Sequence, residues 1–261
     1  MIKAALLGRD ISYTRSPSVH AEIARAMNKE MSFDVVDVPY EKLGGTVRKL
    51  LDGYDCFYIT KPYKTDVREY LNEFRTDVGV NFVMSRGAVG YNTDGMGFIS
   101  ALDRRFDGWR KEVNAVLVLG AGGAAYAVTE ALIAAGKKVY VLNRTSTHAA
   151  KLCNKLGAEL YFNQPAEMIV NCTSAGLHGE DVLSGLCILP QFGYAYDLIY
   201  SPEVTPFLRR MKGAGAKVAN GSDMLVFQAI EGDKIAFGIT TDTQEIFSAV
   251  ADKLDKIFKI I

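Results

Sequence analysis

Two charged side chains are placed where they could exchange a proton with a bound substrate. Lys64 follows an apolar segment and Pro62, and Asp94 lies thirty residues later in a Gly-Tyr-Asn-Thr-Asp-Gly segment. A helix beginning at Pro62 would put Lys64 in its first turn, where the positive end of the helix dipole favours the neutral amine. Taken singly, Lys64 is typical of a solvated surface lysine and Asp94 of a helix cap. Taken together, they are a candidate acid–base pair, in which Asp94 holds the ammonium and relays a proton.

Two hydroxyl side chains, Thr14 and Ser16, stand just before Pro17, which is a common first residue of a helix. Hydroxyl donors, free backbone N–H groups and a favourable dipole at a helix start suit a carboxylate ligand. The simpler interpretation is that Ser16 only caps the helix. The residues alone leave both interpretations open.

A glycine-rich turn indicates a dinucleotide site. The apolar run at 113–119 leads into Gly-Ala-Gly-Gly-Ala-Ala at 120–125. Gly120 would permit the tight turn, Gly122 would let a pyrophosphate approach the backbone, and Ala125 would let the helix pack closely on the strand. The alternative is an ordinary strand-to-helix turn. We favour the dinucleotide site because a helix predicted over 126–135 and a strand over 138–142 complete a unit of the expected length.

The residues after that second strand indicate which dinucleotide binds. NAD-binding units usually carry an acid there, whereas this chain has Asn143, Arg144, Thr145 and Ser146. A guanidinium can bind a ribose 2′-phosphate with paired hydrogen bonds, and a carboxylate would repel it. The hydroxyls of Thr145 and Ser146 can cap the next helix or touch the same phosphate. We therefore predict NADP as the cofactor; the alternative is a solvated surface arginine beside ordinary capping residues.

Predicted strands and helices alternate over the first hundred residues, and these elements must position the candidate site residues. This order predicts a mostly parallel sheet, with a short pair of strands as an antiparallel edge. Ligands of such sheets bind outside the carboxyl ends of the strands. We predict strands over 2–7, 32–38, 54–59, 80–83 and 88–90, and helices over 17–28, 42–51, 63–74 and 96–106.

A second α/β lobe is predicted after the polar segment at 107–111. The final helix carries an apolar stripe, which predicts that one face packs on the protein. The fold class is therefore α/β, with two α/β lobes and a parallel, Rossmann-type sheet in the second. Besides the glycine-turn unit, we predict strands over 159–162, 168–171, 194–198 and 216–218, and helices over 223–236 and 242–258.

Composition excludes several classes of partner. The formal net charge of the 261 residues is zero and no basic tract is present, which argues against nucleic acid or an anionic membrane as the main partner. No apolar run reaches the length of a bilayer span, and no signal peptide opens the chain. Four scattered cysteines predict reduced thiols in a cytoplasmic protein, and three distant histidines make a metal site unexpected. The cysteines are Cys56, Cys153, Cys172 and Cys187.

In their order along the chain, nine segments resemble the shikimate dehydrogenase family. The family patterns are S-x-S-P, N-V-T-x-P-x-K, A-V-N-T, G-x-N-T-D, G-A-G-G-A, N-R-T, N-x-T-S-x-G, D-x-x-Y-x-P-x-x-T-P and M-L-x-x-Q-A. The matching segments lie at 14–17, 58–64, 80–81, 90–94, 120–124, 143–145, 171–176, 197–206 and 224–229. The resemblance therefore covers essentially the whole chain.

The resemblance implies a fold and an activity. The substrate-binding lobe would comprise 1–101 and 238–261, and the NADP-binding Rossmann lobe 102–237. The activity would be the reversible reduction of 3-dehydroshikimate to shikimate, a step of aromatic amino acid biosynthesis. Lys64 would protonate the ketone oxygen as NADPH delivers hydride to its carbon, with Asp94 as its catalytic partner. The protein would act as a monomer or a homodimer.

The resemblance also implies two sets of binding residues. Thr14 and Ser16 would hold the substrate carboxylate, and the remaining substrate residues would be Thr60, Asn81, Asn92, Tyr200 and Gln228. The cofactor residues would be Gly120, Gly122, Gly123, Ala124, Asn143, Arg144, Thr145, Thr173, Met224 and Gly238. The alternatives are that Tyr200 and Gln228 are ordinary polar residues and that Met224 is part of the core.

Several positions depart from the family pattern: Thr14, Tyr58, Lys61, Tyr126 and His148. Tyr58 stands where the pattern has asparagine, and Lys61 adds a cation where an apolar residue is usual. The catalytic pair is unaffected, but the choice of ring acid is open. The remaining alternatives are a dehydrogenase that uses quinate or NAD, and a relative that binds NADP without catalysis.

Overall fold

The structure is a computed structural model that describes residues 1–12, 14–184 and 192–259; Cys187 lies outside the described residues. Its first half forms a six-stranded sheet in the order β2-β1-β3-β5-β6-β4. The elements in chain order are β1 (Ile2–Gly8), α1 (Ser16–Ala26), β2 (Met31–Asp37), α2 (Leu43–Gly53), β3 (Cys56–Ile59), β4 (Glu73–Phe74), β5 (Phe82–Met84), β6 (Val89–Tyr91) and α3 (Asp94–Arg105). Short 3₁₀ helices lie at Tyr40–Lys42 and Asp66–Tyr70.

The direction of the strands in this first sheet determines which ends share an edge. Strand β1 pairs in parallel with both β2 and β3. Strand β5 runs antiparallel to β3 and to β6, which confirms the predicted antiparallel pair. The pair does not form the edge of the sheet as predicted, because β4 pairs in parallel with the outer side of β6. Consequently the carboxyl ends of β1, β3 and β6 and the start of β5 all lie at one edge of the sheet.

The helix predicted over 63–74 is wrong. The segment instead makes turns, the 3₁₀ helix Asp66–Tyr70 and the short strand β4. The Lys64 carbonyl accepts from Val80 N at 2.7 Å, and Arg68 donates to the Val78 carbonyl at 2.8 Å. These bonds join the segment to residues 78–80. They also occupy the Lys64 carbonyl, which in a helix would accept from the backbone N–H four residues later. The helix-dipole argument for Lys64 therefore does not apply.

The interpretation that Ser16 caps α1 is also wrong. Helix α1 begins at Ser16, and Arg15 is the residue in the capping position. The Arg15 carbonyl accepts the first helical bond, from Val19 N at 3.1 Å, so Ser16 is already helical. Its hydroxyl accepts instead from Thr14 Oγ1 at 3.1 Å.

The second half forms a six-stranded, wholly parallel sheet in the order β12-β11-β10-β7-β8-β9. Numbered within this half, the order is 3-2-1-4-5-6 from the other end, which is the order of the Rossmann fold. The elements are α4 (Trp109–Glu112), β7 (Ala115–Leu119), α5 (Gly123–Ala134), β8 (Lys138–Leu142), α6 (Ser146–Leu156), β9 (Glu159–Leu160), β10 (Met168–Asn171), β11 (Tyr194–Asp197), α7 (Pro206–Gly213), β12 (Lys217–Ala219), α8 (Ser222–Phe237) and α9 (Thr243–Lys259). The predicted α/β class with a parallel sheet is confirmed.

The chain divides into two compact units, Met1–Gly97 with Val226–Ile261, and Phe98–Leu225. Both boundaries fall inside helices, α3 and α8. The division implied by the resemblance, after residues 101 and 237, falls within α3 and at the end of α8. Among the helices of the described residues, none is long and apolar enough to cross a membrane.

Candidate active site

The edge of the first sheet brings together four chain segments that carry polar side chains. Thr60 directly follows β3, and Thr14 lies in the segment after β1. Asn81 directly precedes the antiparallel β5, and Asn92 directly follows β6. Because these ends share one edge, residues distant in sequence become neighbours there, as ligand sites of such sheets require.

Lys64 and Asp94 form an ion pair at this edge through Lys64 Nζ and Asp94 Oδ2. Asp94 is the first residue of α3, so the prediction of an acid at a helix start is confirmed. The Lys64 side chain is 17% exposed and that of Asp94 is 7% exposed. The pair is therefore shielded from bulk solvent while part of the lysine remains accessible, which suits proton transfer to a small ligand.

Asn81 links the pair to a second helix. Its Nδ2 donates to Asp94 Oδ1 at 2.9 Å and lies 3.3 Å from Gln228 Oε1 in α8. The same amide donates to Thr93 Oγ1 at 2.9 Å, and its oxygen accepts from Thr93 N at 2.8 Å. The hydroxyl of Thr93 in turn donates to the Gln228 carbonyl at 2.9 Å. Asn81 is thus in contact with the ion pair, and Gln228 is linked to the pair through Asn81.

Asn92 holds the start of α3. Its oxygen accepts from Asp94 N at 2.9 Å, and its amide donates to the Gly79 carbonyl. A Cβ on Gly79 would lie 3.1 Å from Lys64 Cβ, so the chain passes close to the lysine stem at this point. Asn92 therefore contacts the backbone on both sides of the pair and positions it.

The hydroxyl groups predicted to bind a carboxylate lie on neighbouring segments. Thr14 Oγ1 donates to Ser16 Oγ at 3.1 Å and also accepts from Ser16 N at 3.2 Å. Thr60 packs against the end of β1, because a Cβ on Gly8 would lie only 2.6 Å from Thr60 Cγ2. A small residue at Gly8 is therefore needed for these two strand ends to approach each other.

Tyr58 departs from the family pattern, and the structure places its polar atom away from this edge. Its hydroxyl donates to Asp233 Oδ1 at 2.6 Å, and the side chain is buried. His20 Nδ1 lies 2.9 Å from each oxygen of the same carboxylate. This buried trio was not predicted; the only signal in the sequence was the tyrosine in place of asparagine.

The glycine turn in the second unit has the geometry of a phosphate-binding loop. Gly120 has φ of +110°, and a Cβ there would lie 3.0 Å from Thr173 Cγ2. Gly122 precedes α5, and apart from its chain neighbours no atom of the described residues lies within 4 Å of where its Cβ would be. A side chain is thus excluded at Gly120, while the backbone at Gly122 is open to a ligand at the start of a twelve-residue helix.

Thr173 lies beside this turn on a polar network at the ends of β10 and β11. Its hydroxyl donates to Asn171 Oδ1 at 2.7 Å, and Asn171 Nδ2 donates to Asp197 Oδ1 at 3.0 Å. The other oxygen of Asp197 accepts from Thr205 Oγ1 at 2.6 Å. Burial raises the pKa of Asp197 to about 6, against the lowering effect of its hydrogen bonds from Thr205, Ile199 N and Asn171.

The predicted 2′-phosphate residues follow β8, as expected. Arg144 is exposed, and Asn143 Nδ2 donates to the Thr145 carbonyl at 2.9 Å. Thr145 occupies the capping position of α6. The exposed Arg144 guanidinium is therefore next to the start of α6. The guanidinium and the free N–H groups of that helix start can both bind an anion.

The remaining predicted residues lie on separate elements. Gly123 and Ala124 begin α5. Tyr200 follows β11 in the second unit, Met224 is buried in α8, and Gly238 directly follows the same helix with φ of +64°. Their roles toward a ligand stay predictions.

Comparison with known proteins gives a consistent result over both halves. The family model described as the shikimate dehydrogenase substrate binding domain matches residues 6–79, and that described as shikimate/quinate 5-dehydrogenase matches residues 102–175.

Relatives of the same kind match nearly the whole chain. The NADP⁺ shikimate dehydrogenase of Caldicellulosiruptor saccharolyticus is 32% identical, over 98% of this chain and 99% of its own. One from Thermus thermophilus is 34% identical, over 93% and 95%. The crystal structure of shikimate 5-dehydrogenase from Thermus thermophilus, in complex with NADP(H) and shikimate, matches with a TM-score of 0.84 and 31% identity, over 97% of this chain and 99% of that one.

Proposed function

The chain belongs to the shikimate dehydrogenase family, and on that premise we propose that it reduces 3-dehydroshikimate to shikimate with NADPH, reversibly. The ketone carbon gains a hydride, which bound NADPH supplies, and the ketone oxygen gains a proton. The place of this reaction is the biosynthesis of aromatic amino acids. The observation that carries the proposal is the shielded Lys64–Asp94 pair, because one proton donor held by a carboxylate is what the reaction requires of the protein.

Lys64 donates the proton to the oxygen as negative charge develops there. Asp94 keeps the ammonium oriented, since one of its oxygens faces Lys64 and the other accepts from Asn81. In the oxidation direction the neutral amine takes the proton from the shikimate hydroxyl. The pair therefore serves as acid and as base in the two directions of one reaction.

The polar groups around the pair bind the ring acid. Thr14 and Ser16 donate their hydroxyls to the carboxylate, near the start of α1, where the helix dipole favours an anion. The ring hydroxyls and the carboxylate are bound by Thr60, Asn81, Asn92, Tyr200 and Gln228. Side-chain amides suit this task because each offers both a donor and an acceptor to a hydroxyl.

The second unit fits a dinucleotide at the glycine turn. The open backbone at Gly122 leaves room for the pyrophosphate, and the first N–H groups of α5 donate to it. Gly120, Gly123 and Ala124 shape the turn, and Thr173 lies beside it. Asn143, Arg144 and Thr145 would bind the 2′-phosphate, and Met224 and Gly238 would contact the nicotinamide. The parallel sheet with its Rossmann order supports this assignment.

Two further assignments complete the proposal. We place the protein in the cytoplasm, and the free thiols of the three cysteines within the described residues accord with a reducing compartment. We retain a monomer or a homodimer as the state of assembly, with the small-molecule substrate as the main partner.

A matrix of substrates and cofactors tests the function. Purified protein is given shikimate or quinate, each with NADP⁺ or NAD⁺, and the absorbance of the reduced cofactor is followed. We expect the highest kcat/KM with shikimate and NADP⁺. Turnover with quinate but not with shikimate would show that quinate is the substrate. A preference for NAD⁺ would contradict the role of Arg144 in binding the 2′-phosphate. Binding of NADPH without any turnover would assign the chain to a non-catalytic relative.

A further inference from the structure

A buried polar trio lies on the face of the first sheet that carries Tyr58. The Tyr58 hydroxyl and His20 Nδ1 both face the carboxylate of Asp233, at 2.6 Å and 2.9 Å. His20 and Asp233 are at most 1% exposed and Tyr58 is 3% exposed. Because an unpaired buried carboxylate is costly, these contacts hold Asp233, and with it helix α8, against the sheet.

The ring of Tyr58 is fitted closely to the same helix. A Cβ on Gly232 would lie 2.6 Å from Tyr58 Cε1 and 2.7 Å from the Tyr58 hydroxyl oxygen. The absence of a side chain at Gly232 therefore lets α8 lie close to β3 at this point. The ring also packs against His20 and Phe82, with ring centroids 4.2 Å and 4.9 Å away. Burial and the nearby carboxylate raise the pKa of Tyr58 well above its usual range, so the phenol stays a donor.

Gln228 lies on α8 one turn before Gly232, and residues four apart lie on the same face of a helix. Its backbone is fixed by Thr93 Oγ1, which donates to its carbonyl at 2.9 Å, and by Gly97, where a Cβ would lie 2.6 Å from Gln228 N. Its side chain faces Asn81 Nδ2 at 3.3 Å, and Asn81 donates to Asp94. A continuous series of contacts therefore joins the trio to the catalytic pair through α8.

We propose that Tyr58, through its hydrogen bond to Asp233 and its contact with Gly232, is a positioning residue that sets the place of Gln228 at the substrate. The inference rests on the proposed function, in which Gln228 binds the ring acid. Tyr58 itself gives no hydrogen bond to the substrate, because its one polar side-chain atom is committed to Asp233. The tyrosine at this position thus replaces a family asparagine without entering the polar site.

The variant Tyr58→Phe tests the inference, because it removes the hydroxyl and keeps the ring. We expect the KM for shikimate to rise about fivefold, as the loss of one hydrogen bond predicts, with the KM for NADP⁺ unchanged. Tyr54→Phe is the matched control, since Tyr54 also donates to a carboxylate, that of Asp34 at 2.7 Å, but on an exposed site. Asp233→Asn is the conservative variant; it keeps an acceptor for the hydroxyl and should retain a shikimate KM near that of the wild type.

A double-mutant cycle separates positioning from general destabilisation. In a Gln228→Asn background, where the amide is already withdrawn by one methylene, Tyr58→Phe should no longer raise the shikimate KM. If the two changes are additive, if both KM values rise, or if only the melting temperature falls, the inference is wrong.

Two further results keep the outcome unambiguous. If Tyr58→Phe does not fold, Gly232→Ala perturbs the same contact from the helix side and should give the same selective rise in shikimate KM. Wild-type turnover is measured first: if shikimate is not oxidised at all, the proposed function fails. If shikimate is oxidised and both variants keep the wild-type KM, the positioning role alone fails.

Discussion

The side chain of Asn81 donates to Asp94 Oδ1 at 2.9 Å, so the two oxygens of this carboxylate are divided between an amide and the Lys64 ammonium. Asp94 cannot turn without losing one of these contacts. Asn81, which precedes β5, therefore orients the Lys64 ammonium through Asp94. This contact is the basis of the first two predictions.

Lys64→Ala should abolish the proton transfer and leave cofactor binding intact. We expect kcat for shikimate oxidation to fall by about 10²- to 10⁴-fold, the usual contribution of a general acid or base. The affinity for NADPH, measured by calorimetry, should not change, because the glycine turn lies in the other unit. Lys49→Ala, an exposed lysine of α2, is the control. Activity of Lys64→Ala similar to that of this control would remove Lys64 from the mechanism.

Asn81→Ala should lower both turnover and substrate affinity. The change leaves Asp94 Oδ1 and the Thr93 hydroxyl without the amide that each now contacts, and both are buried. We expect about a tenfold loss in kcat/KM for shikimate and a loss of about 1–3 kcal/mol in the free energy of unfolding. Kinetic assays and urea denaturation measure the two effects. Unchanged kinetics with lowered stability would restrict Asn81 to a structural role.

Arg144→Ala should weaken binding of NADP⁺ far more than binding of NAD⁺. A guanidinium bound to the 2′-phosphate contributes about 1.5–3 kcal/mol, so Kd for NADP⁺ should rise by roughly 10- to 100-fold. Arg209→Ala, an exposed arginine of α7, is the control. Equal losses for the two cofactors would contradict the phosphate role.

Asp197 should make the stability of the second unit depend on pH. Its pKa in the folded protein, about 6, lies above its ordinary value of 3.8, so folding takes up a proton between these pH values. The contribution of Asp197 to the free energy of unfolding is therefore largest at low pH. It is lost as the pH rises from about 4 to about 6, by about 3 kcal/mol.

Comparison with Asp197→Asn isolates this contribution. Urea denaturation at several pH values should show the stability of the wild type falling relative to the variant as the pH rises through that window. Asp107→Asn, an exposed carboxylate of the same unit, should instead follow the wild type. A constant difference between wild type and Asp197→Asn across roughly pH 4–7 would show that burial does not shift this carboxyl.

The strands other than β4, and the glycine turn, were predictable because their signals are local. Strand β10 lies at 168–171 as predicted, and the turn at Gly120 has the positive φ that its glycine indicated. Gly122 likewise precedes a helix as expected. Helix α7 was not predicted, although its Thr205-Pro206 start resembles the one recognised at α1. Elements with a strong apolar pattern or a fixed turn geometry can therefore be predicted from the residues themselves.

The site was predicted only in part, because part of it depends on distant pairing. Lys64 and Asp94 do meet, as their pairing predicted. The helix start at Pro62, which was the argument for a neutral amine, is wrong, since Val80 N binds the Lys64 carbonyl. The contact between His20 and Asp233 joins residues 213 positions apart. A buried histidine and aspartate leave no periodic signal, so only the folded chain reveals their contact.

The hairpin of β5 and β6 has a consequence for engineering. Both of its outer ends, at Asn81 and Asn92, lie at the ligand edge of the sheet, so its connecting turn lies at the opposite edge. Within that turn Arg86 and Gly87 are exposed. A fluorophore attachment site or a short peptide inserted between them would extend into solvent, and the enzyme should tolerate it because loops of this kind absorb insertions at small entropic cost.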